Sequence, residues 1–244
     1  MVGLGTVRSL ASAGLDNVER HRRRINALNV YPVPDGDTGT NLTLTMQGIV
    51  DELERSTATT TAQLAADVQR AATMEAKGNS GVILSTIVRG MARVLGENDH
   101  VDGEILAHAM RAGATSAYQA VKVPVEGTML TVIREMAEES ERKEHRGARP
   151  NELLEAVLAR GEDALARTPE MLDILRNAGV VDAGGAGLVE IARGMVYGAT
   201  GKELPDVPVE AESLGFDAIH QELSDYRYCT VFVVEGEELD KDTL

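Results

Sequence analysis

Asp35 and Asp37, separated only by Gly36, can turn both carboxylates toward one hard cation. Mg2+ takes oxygen ligands and is commonly held by one or two carboxylates together with substrate phosphates. The pair sits in a stretch running from Asn29 through Pro32 and Pro34 to Asn41. The two prolines exclude helix and stiffen the approach. Gly39, Thr40 and Asn41 then open a helix, whose unpaired N–H groups suit an anion. The same residues also suit a plain turn in which an acid caps a helix, and spacing alone does not separate the two. A calcium-binding EF-hand loop is excluded. Gly39 stands at the fifth position, where Asp or Asn is required, and Thr40 at the sixth, where Gly is.

Three more junctions are polar and rich in small residues. In Lys77-Gly78-Asn79-Ser80-Gly81 the glycines permit close backbone approach, and Asn79 and Ser80 offer polar side chains at a helix start. That suits a phosphate, and it equally suits an ordinary C-cap followed by an N-cap. It is not a Walker A loop, because no Gly-Lys-Thr/Ser follows a spaced glycine. Asp182-Ala183-Gly184-Gly185-Ala186-Gly187 opens another helix, with Asp182 as its cap. Glu190 stands where a dinucleotide-binding fingerprint needs its last glycine. In Glu126-Gly127-Thr128-Met129, Thr128 suits a cap, and Met129 suits either an adenine pocket or the core. The five histidines, His21, His100, His108, His145 and His220, show no metal-binding spacing, and no nucleophilic triad is legible. The run Arg20-His21-Arg22-Arg23-Arg24 reads first as a solvated helix face and, if it lies near the anion, as a source of neutralising charge.

Helices must position these junctions. Apolar residues recur at helical spacing over 7–28, 80–95, 128–141 and 150–167. Thr60 with Gln63 predicts a capping box for a helix to residue 76. Asp102 predicts a cap for 103–121, Thr168-Pro169 opens a short helix to residue 177, and 185–197 is the last. The glycines fall at the junctions between these segments. With no Trp, two Phe and five Tyr in 244 residues, the core must be Ala, Val, Leu, Ile and Met, which suits close helix packing. The same scarcity argues against a stacking platform for single-stranded nucleic acid, and a net charge of -15 disfavours binding a phosphate backbone. One cysteine, Cys229, excludes an internal disulfide and fits a cytoplasmic location. No apolar run approaches the ~20 residues that span a bilayer, and residues 1–15 do not read as a signal peptide.

Composition changes near Gly201. From there on the chain carries 12 acidic and 3 basic residues. Residues 201–225 read as an acidic linker, and 226–234, rich in β-branched and aromatic residues, as a strand. One strand needs partners, so 226–244 reads as the start of a second domain, and the alternative is a strand packed on the helical part or on a partner chain.

In this order the segments resemble one family. The stretch from Ile25 to Asn41 is similar to the signature of the fatty acid kinase catalytic subunit, whose N-terminal part is related to the nucleotide-binding L subunit of dihydroxyacetone kinase. Residues 78–85, 124–133 and 182–187 resemble its later motifs, and 228–236 the opening of its middle domain. The resemblance implies an all-α domain over 1–200, an antiparallel barrel of about eight helices with ATP or ADP at one end. It implies two Mg2+ ions on the carboxylate loop, with Asp35 and Asp37 as ligands and catalytic residues. The dihydroxyacetone kinase subunit has a further Asp where this chain has Val30, and Asn29 is the nearest polar candidate for a third ligand. That relative also has His in place of Thr38, which favours the fatty acid kinase branch. By resemblance Thr38, Thr40, Asn41, Gly78, Asn79, Ser80, Gly81, Thr128, Met129, Asp182, Gly184 and Gly185 surround the nucleotide. The implied reaction makes acyl phosphate and ADP from ATP and a fatty acid held by a separate fatty-acid-binding partner protein, with no role for nucleic acid. A middle-domain cysteine of the family is a metal ligand, and Cys229 fits it or is an ordinary strand residue. Two other readings stay open: a nucleotide-binding module inactive alone, and a dihydroxyacetone-type kinase subunit. So does homodimer formation.

Overall fold

Asp102, Thr128 and Asp182 each accept a backbone N–H at the start of a helix, as their positions predict. Thr60 does the same for Gln63 N at 3.2 Å. The reciprocal half of that capping box differs from expectation, because the Gln63 side chain accepts from Thr59 N at 3.1 Å. The computed structural model describes residues 4–205, whose regular secondary structure is all helical. Eight long helices follow in order: α1 Leu4–Ala27, α2 Thr38–Arg55, α3 Thr61–Met74, α4 Gly78–Gly96, α5 Gly103–Ala120, α6 Met129–Ser140, α7 Pro150–Ala166 and α10 Ala183–Thr200. Two short ones, α8 Thr168–Met171 and α9 Asp173–Ala178, lie between α7 and α10. Gly201, in the left-handed conformation at φ 69°, ends α10.

Each long helix packs on the next, and α10 packs on both α7 and α1, so the row of antiparallel helices closes into a ring. The all-α barrel of about eight helices implied by the resemblance is therefore the observed fold. Closure has a directional consequence. The connections 28–37, 75–77, 121–128 and 167–182 share one end of the bundle, where α2, α4, α6 and α10 begin. The connections 56–60, 97–102 and 141–149 share the other.

The buried apolar side chains among the described residues are Ala, Val, Leu, Ile and Met alone, as composition requires. Small residues bring the helices close. A Cβ on Gly194 of α10 would overlap the Ala13 carbonyl of α1, and one on Gly14 would come within 3.1 Å of the Ile191 carbonyl. A buried polar seam crosses the same interface. Glu190 accepts from Asn17 Nδ2 at 3.0 Å and pairs with Arg193, while His21 Nδ1 lies 2.9 Å from the Asn17 carbonyl. No described helix is long and apolar enough to cross a membrane.

The segment 168–177 differs from the single helix expected. Leu172 is extended, at φ -132° and ψ 109°, and divides α8 from α9, so that Leu175 is buried. Thr168 is not a cap either. It is wholly buried, with its hydroxyl donating to the Leu165 carbonyl at 2.8 Å and accepting from Asp182 N at 3.1 Å. The expected strand at 226–234, Cys229 and most of the acidic linker lie outside the described residues.

Candidate functional site

The helix starts gathered at one end surround a cavity of about 340 Å³. Pro32 and Thr38 reach it from the first motif, and Asn79 and Ser80 from the second. Thr128 and Met129 come from the start of α6, and Asp182 and Gly184 from the start of α10. Val82 and Ile83 of α4, with Ala120, Val121, Val123 and Val125, form an apolar wall. Four segments far apart in sequence, each singled out for its chemistry, thus meet at one place. Met129 lines the cavity while remaining 2% exposed, as a core residue is.

Three of the four helix starts are capped by the protein itself. The first turn of α2 donates from Thr40 N to Asn26 Oδ1 at 3.1 Å. Asp182 accepts from Gly185 N of α10 at 2.6 Å and from Met129 N of α6. Thr128 accepts from Leu130 N at 3.3 Å. The start of α4 differs. Lys77 supplies no side-chain cap, and the Gly78, Asn79 and Ser80 amides have no partner among the described residues. These N–H groups, with the positive end of the α4 dipole, are available to an anion.

Gly78 and Gly81 do not face the cavity. A Cβ on Gly78 would overlap the Asn41 side chain, and one on Gly81 the Thr45 hydroxyl. They let α4 begin directly against α2, with Asn79 and Ser80 on the open side. Asn41 therefore sits between α2 and α4, Thr40 is engaged by Asn26, and Gly185 serves the Asp182 cap.

The aspartate pair precedes Thr38 in the chain. Asp35 lies within hydrogen-bond reach of Asp37, and partial loss of water, then that bond and the Asp37 charge, hold the Asp35 pKa above its ordinary value. Neither acid caps α2, since Asp37 makes no side-chain cap bond. Asn29, expected as a third ligand, is buried and engaged. Its Nδ2 donates to Asp35 Oδ1 at 3.0 Å and to the Val33 carbonyl at 2.7 Å, and its Oδ1 accepts from Thr38. No cluster of three or more His, Cys, Asp or Glu side chains forms a metal site among the described residues. Two ionised carboxylates in contact repel each other, and a divalent cation between them relieves the repulsion. The donor set fits Mg2+, with further oxygens supplied by water or a bound phosphate.

Asp182 is buried between α6 and α10. Burial pushes its pKa up to about 6, against the opposing effect of the Gly185 and Met129 amides. Glu126 was not identified as a site residue from sequence, although its loop was. Burial acts to raise its pKa, but donors from Thr131, Tyr118 and Arg134 outweigh it and hold the carboxyl below the usual range. These bonds pin the 121–128 connection that forms part of the apolar wall. Asn26 was also missed, because its partner Thr40 belongs to another helix and no local spacing marks the pair. A second cleft of about 340 Å³ lies between α5 and α6. Its Arg111 and Arg134 are held by Glu141, Glu126 and Glu138, and it contains none of the motif residues.

Two proteins of Staphylococcus aureus, each described as uncharacterized, from strains bovine RF122 / ET3-1 and USA300, are 35% identical to this chain over 229 residues. The match covers 91% of this chain and 42% of each relative, so the chain spans under half the length of these relatives. Among solved structures, the dihydroxyacetone kinase from C. freundii in complex with AMP-PNP and Mg2+ has the same fold. Its TM-score is 0.56 at 20% identity, covering 79% of this chain and 33% of that one. The native form of that enzyme gives 0.55 at 19% identity, with the same coverage. Residues 32–197, which hold the first motif from Pro32 onward and the whole of the three later ones, match the DAK2 domain, and the chain belongs to that family.

Proposed function

We propose that this chain binds ATP with Mg2+ and serves as the phosphoryl-donating part of a fatty acid kinase. The carrying observation is the start of α4. Its first amides have no partner among the described residues, and its Asn79 and Ser80 line a cavity whose other helix starts are already capped, with two carboxylates that suit a divalent cation on the connection leading into α2. The AMP-PNP and Mg2+ bound by the C. freundii enzyme of the same fold support this reading.

Asp35 and Asp37 would hold Mg2+, which when bound neutralises charge on the transferring phosphoryl group. The Gly78, Asn79 and Ser80 amides supply fixed donors to phosphate oxygens without reorganisation. Ile83, Val121 and Val125 of the wall accept the base. Asp182 keeps the starts of α6 and α10 together, and Asn29 orients Asp35. Phosphoryl transfer needs chiefly such positioning and charge stabilisation.

The acceptor side rests on the sequence resemblance and on the surface. Val33, Val82, Val123 and Met171, between 36% and 71% exposed, all lie at the cavity end. They suit a docking partner that presents an acyl carboxylate. Thr38 in place of His favours this acceptor over dihydroxyacetone.

Calorimetric titration tests the donor side. ADP should bind the wild type more tightly with Mg2+ than in EDTA, and Asp37→Ala should lose at least tenfold of that gain. An unchanged gain in Asp37→Ala would overturn the site. The acceptor is tested by assaying acyl phosphate from ATP and fatty acid with and without a fatty-acid-binding partner. Dihydroxyacetone turnover in its place would assign the other branch.

A further inference from the structure

The first turn of α2 is capped from a different helix. Asp37 occupies the N-cap position, yet its backbone is helical, φ -114° and ψ -4°, and its carboxylate accepts no N–H of the turn. Cap residues ordinarily hold extended backbone and accept from the second or third helical residue. Here the third, Thr40, donates to Asn26 Oδ1 at 3.1 Å, and Asn26 Nδ2 donates back to Thr40 Oγ1 at 3.0 Å. Asn26 stands in the last turn of α1. Gly39 makes the close approach possible, since a Cβ there would sit 2.9 Å from Asn26 Oδ1 and would overlap the Arg22 carbonyl. The Asp37 carboxyl, relieved of the cap, lies within reach of Asp35.

We propose that Asn26 is a positioning residue for the divalent cation: by capping α2 in place of Asp37, it leaves the Asp37 carboxylate facing Asp35. This rests on the Mg2+ reading above. With Asn26 removed, the Thr40 N–H loses its acceptor. Asp37 is the residue placed to replace it, and a carboxylate that turns to cap the helix no longer faces the cation. Asn29 acts in parallel one turn later, donating directly to Asp35. Two asparagines three residues apart thus serve the two aspartates, one by holding a carboxylate and the other by freeing one.

The test uses the full chain, with ADP and Mg2+ as probes. ADP affinity is measured with Mg2+ and in EDTA, and the ratio is compared between wild type and variants. Asn26→Ala should lower the ratio about tenfold while leaving affinity in EDTA within about twofold. Asn26→Asp, which retains an acceptor for Thr40 N, should keep the ratio. Should the alanine variant fold poorly, Asn26→Ser, too short to span the same distance, takes its place. A wild-type ratio in Asn26→Ala overturns the proposal. So does an equal loss with and without Mg2+, which would make Asn26 a support of the fold alone. A wild-type protein whose ADP affinity ignores Mg2+ would instead remove the reading on which the proposal rests.

Discussion

Asp182 has a carboxylate sealed between the first turns of α6 and α10, with two amides to compensate its charge. Its folded pKa, about 6, lies above the ordinary value of 3.8. Between those values the folded protein holds a proton that the unfolded chain releases. Stability from this group is therefore complete below about pH 4 and is lost as pH rises through 6, a change of about 3 kcal/mol at 1.36 kcal/mol per unit. Asp182→Asn keeps an acceptor for the cap and cannot ionise. Urea denaturation from pH 4 to 7 should show the wild type losing stability relative to the variant, and a constant difference would contradict the burial argument. At this scale the sequence is informative where chemistry and neighbours share one segment. Asp35 with Asp37, Asn79 with Ser80, and Asp182 with Gly184 are of that kind. Asn26, Glu126 and Glu190 were not legible, because what makes each matter is a partner on another helix or across a turn.

At the scale of elements, glycine separates sites of contact from sites of mere tolerance. Gly194 lies where α10 meets the α1 backbone, and a carbonyl cannot move aside as a flexible side chain can. Gly194→Ala should cost about 1–3 kcal/mol by overpacking. Gly5 lies in α1 with nothing within 4 Å of its Cβ position, so Gly5→Ala should gain about 0.5–1 kcal/mol through helix propensity. Denaturant midpoints of the two variants should move in opposite directions. Gly81 is a third case. Gly81→Val should weaken nucleotide binding by pushing α4 off Thr45 of α2, a packing cause where the sequence suggested direct backbone contact with phosphate. Helix starts at Asp102, Thr128 and Asp182 were legible, since a cap acts over three residues. The break at Leu172 was not, since what lies against it, the backbone of Gly127, comes from elsewhere in the chain.

For the whole molecule, a ligand that touches the starts of four helices stabilises the ring as a unit. At 100 times its dissociation constant Mg·ADP should add about 2.7 kcal/mol, which for a domain of this size is a rise in Tm of about 5–10 °C. Asp37→Ala should show little of the Mg2+-dependent part of that rise. Equal shifts in both proteins would place the nucleotide away from the acid pair. The ring was legible as a class, from helical spacing and short connections. Which helices close it was not, because contact between the first and last helices leaves no mark on either sequence alone. The parity of the ring divides the surface into two zones with different freedoms. The connections 56–60, 97–102 and 141–149 contribute no residue to the cavity. Insertions, fused reporters or relocated chain ends there should leave the chemistry intact, whereas one added residue between Asn29 and Thr38 should abolish it. Among the described residues, the helical ring is thus editable from one pole only.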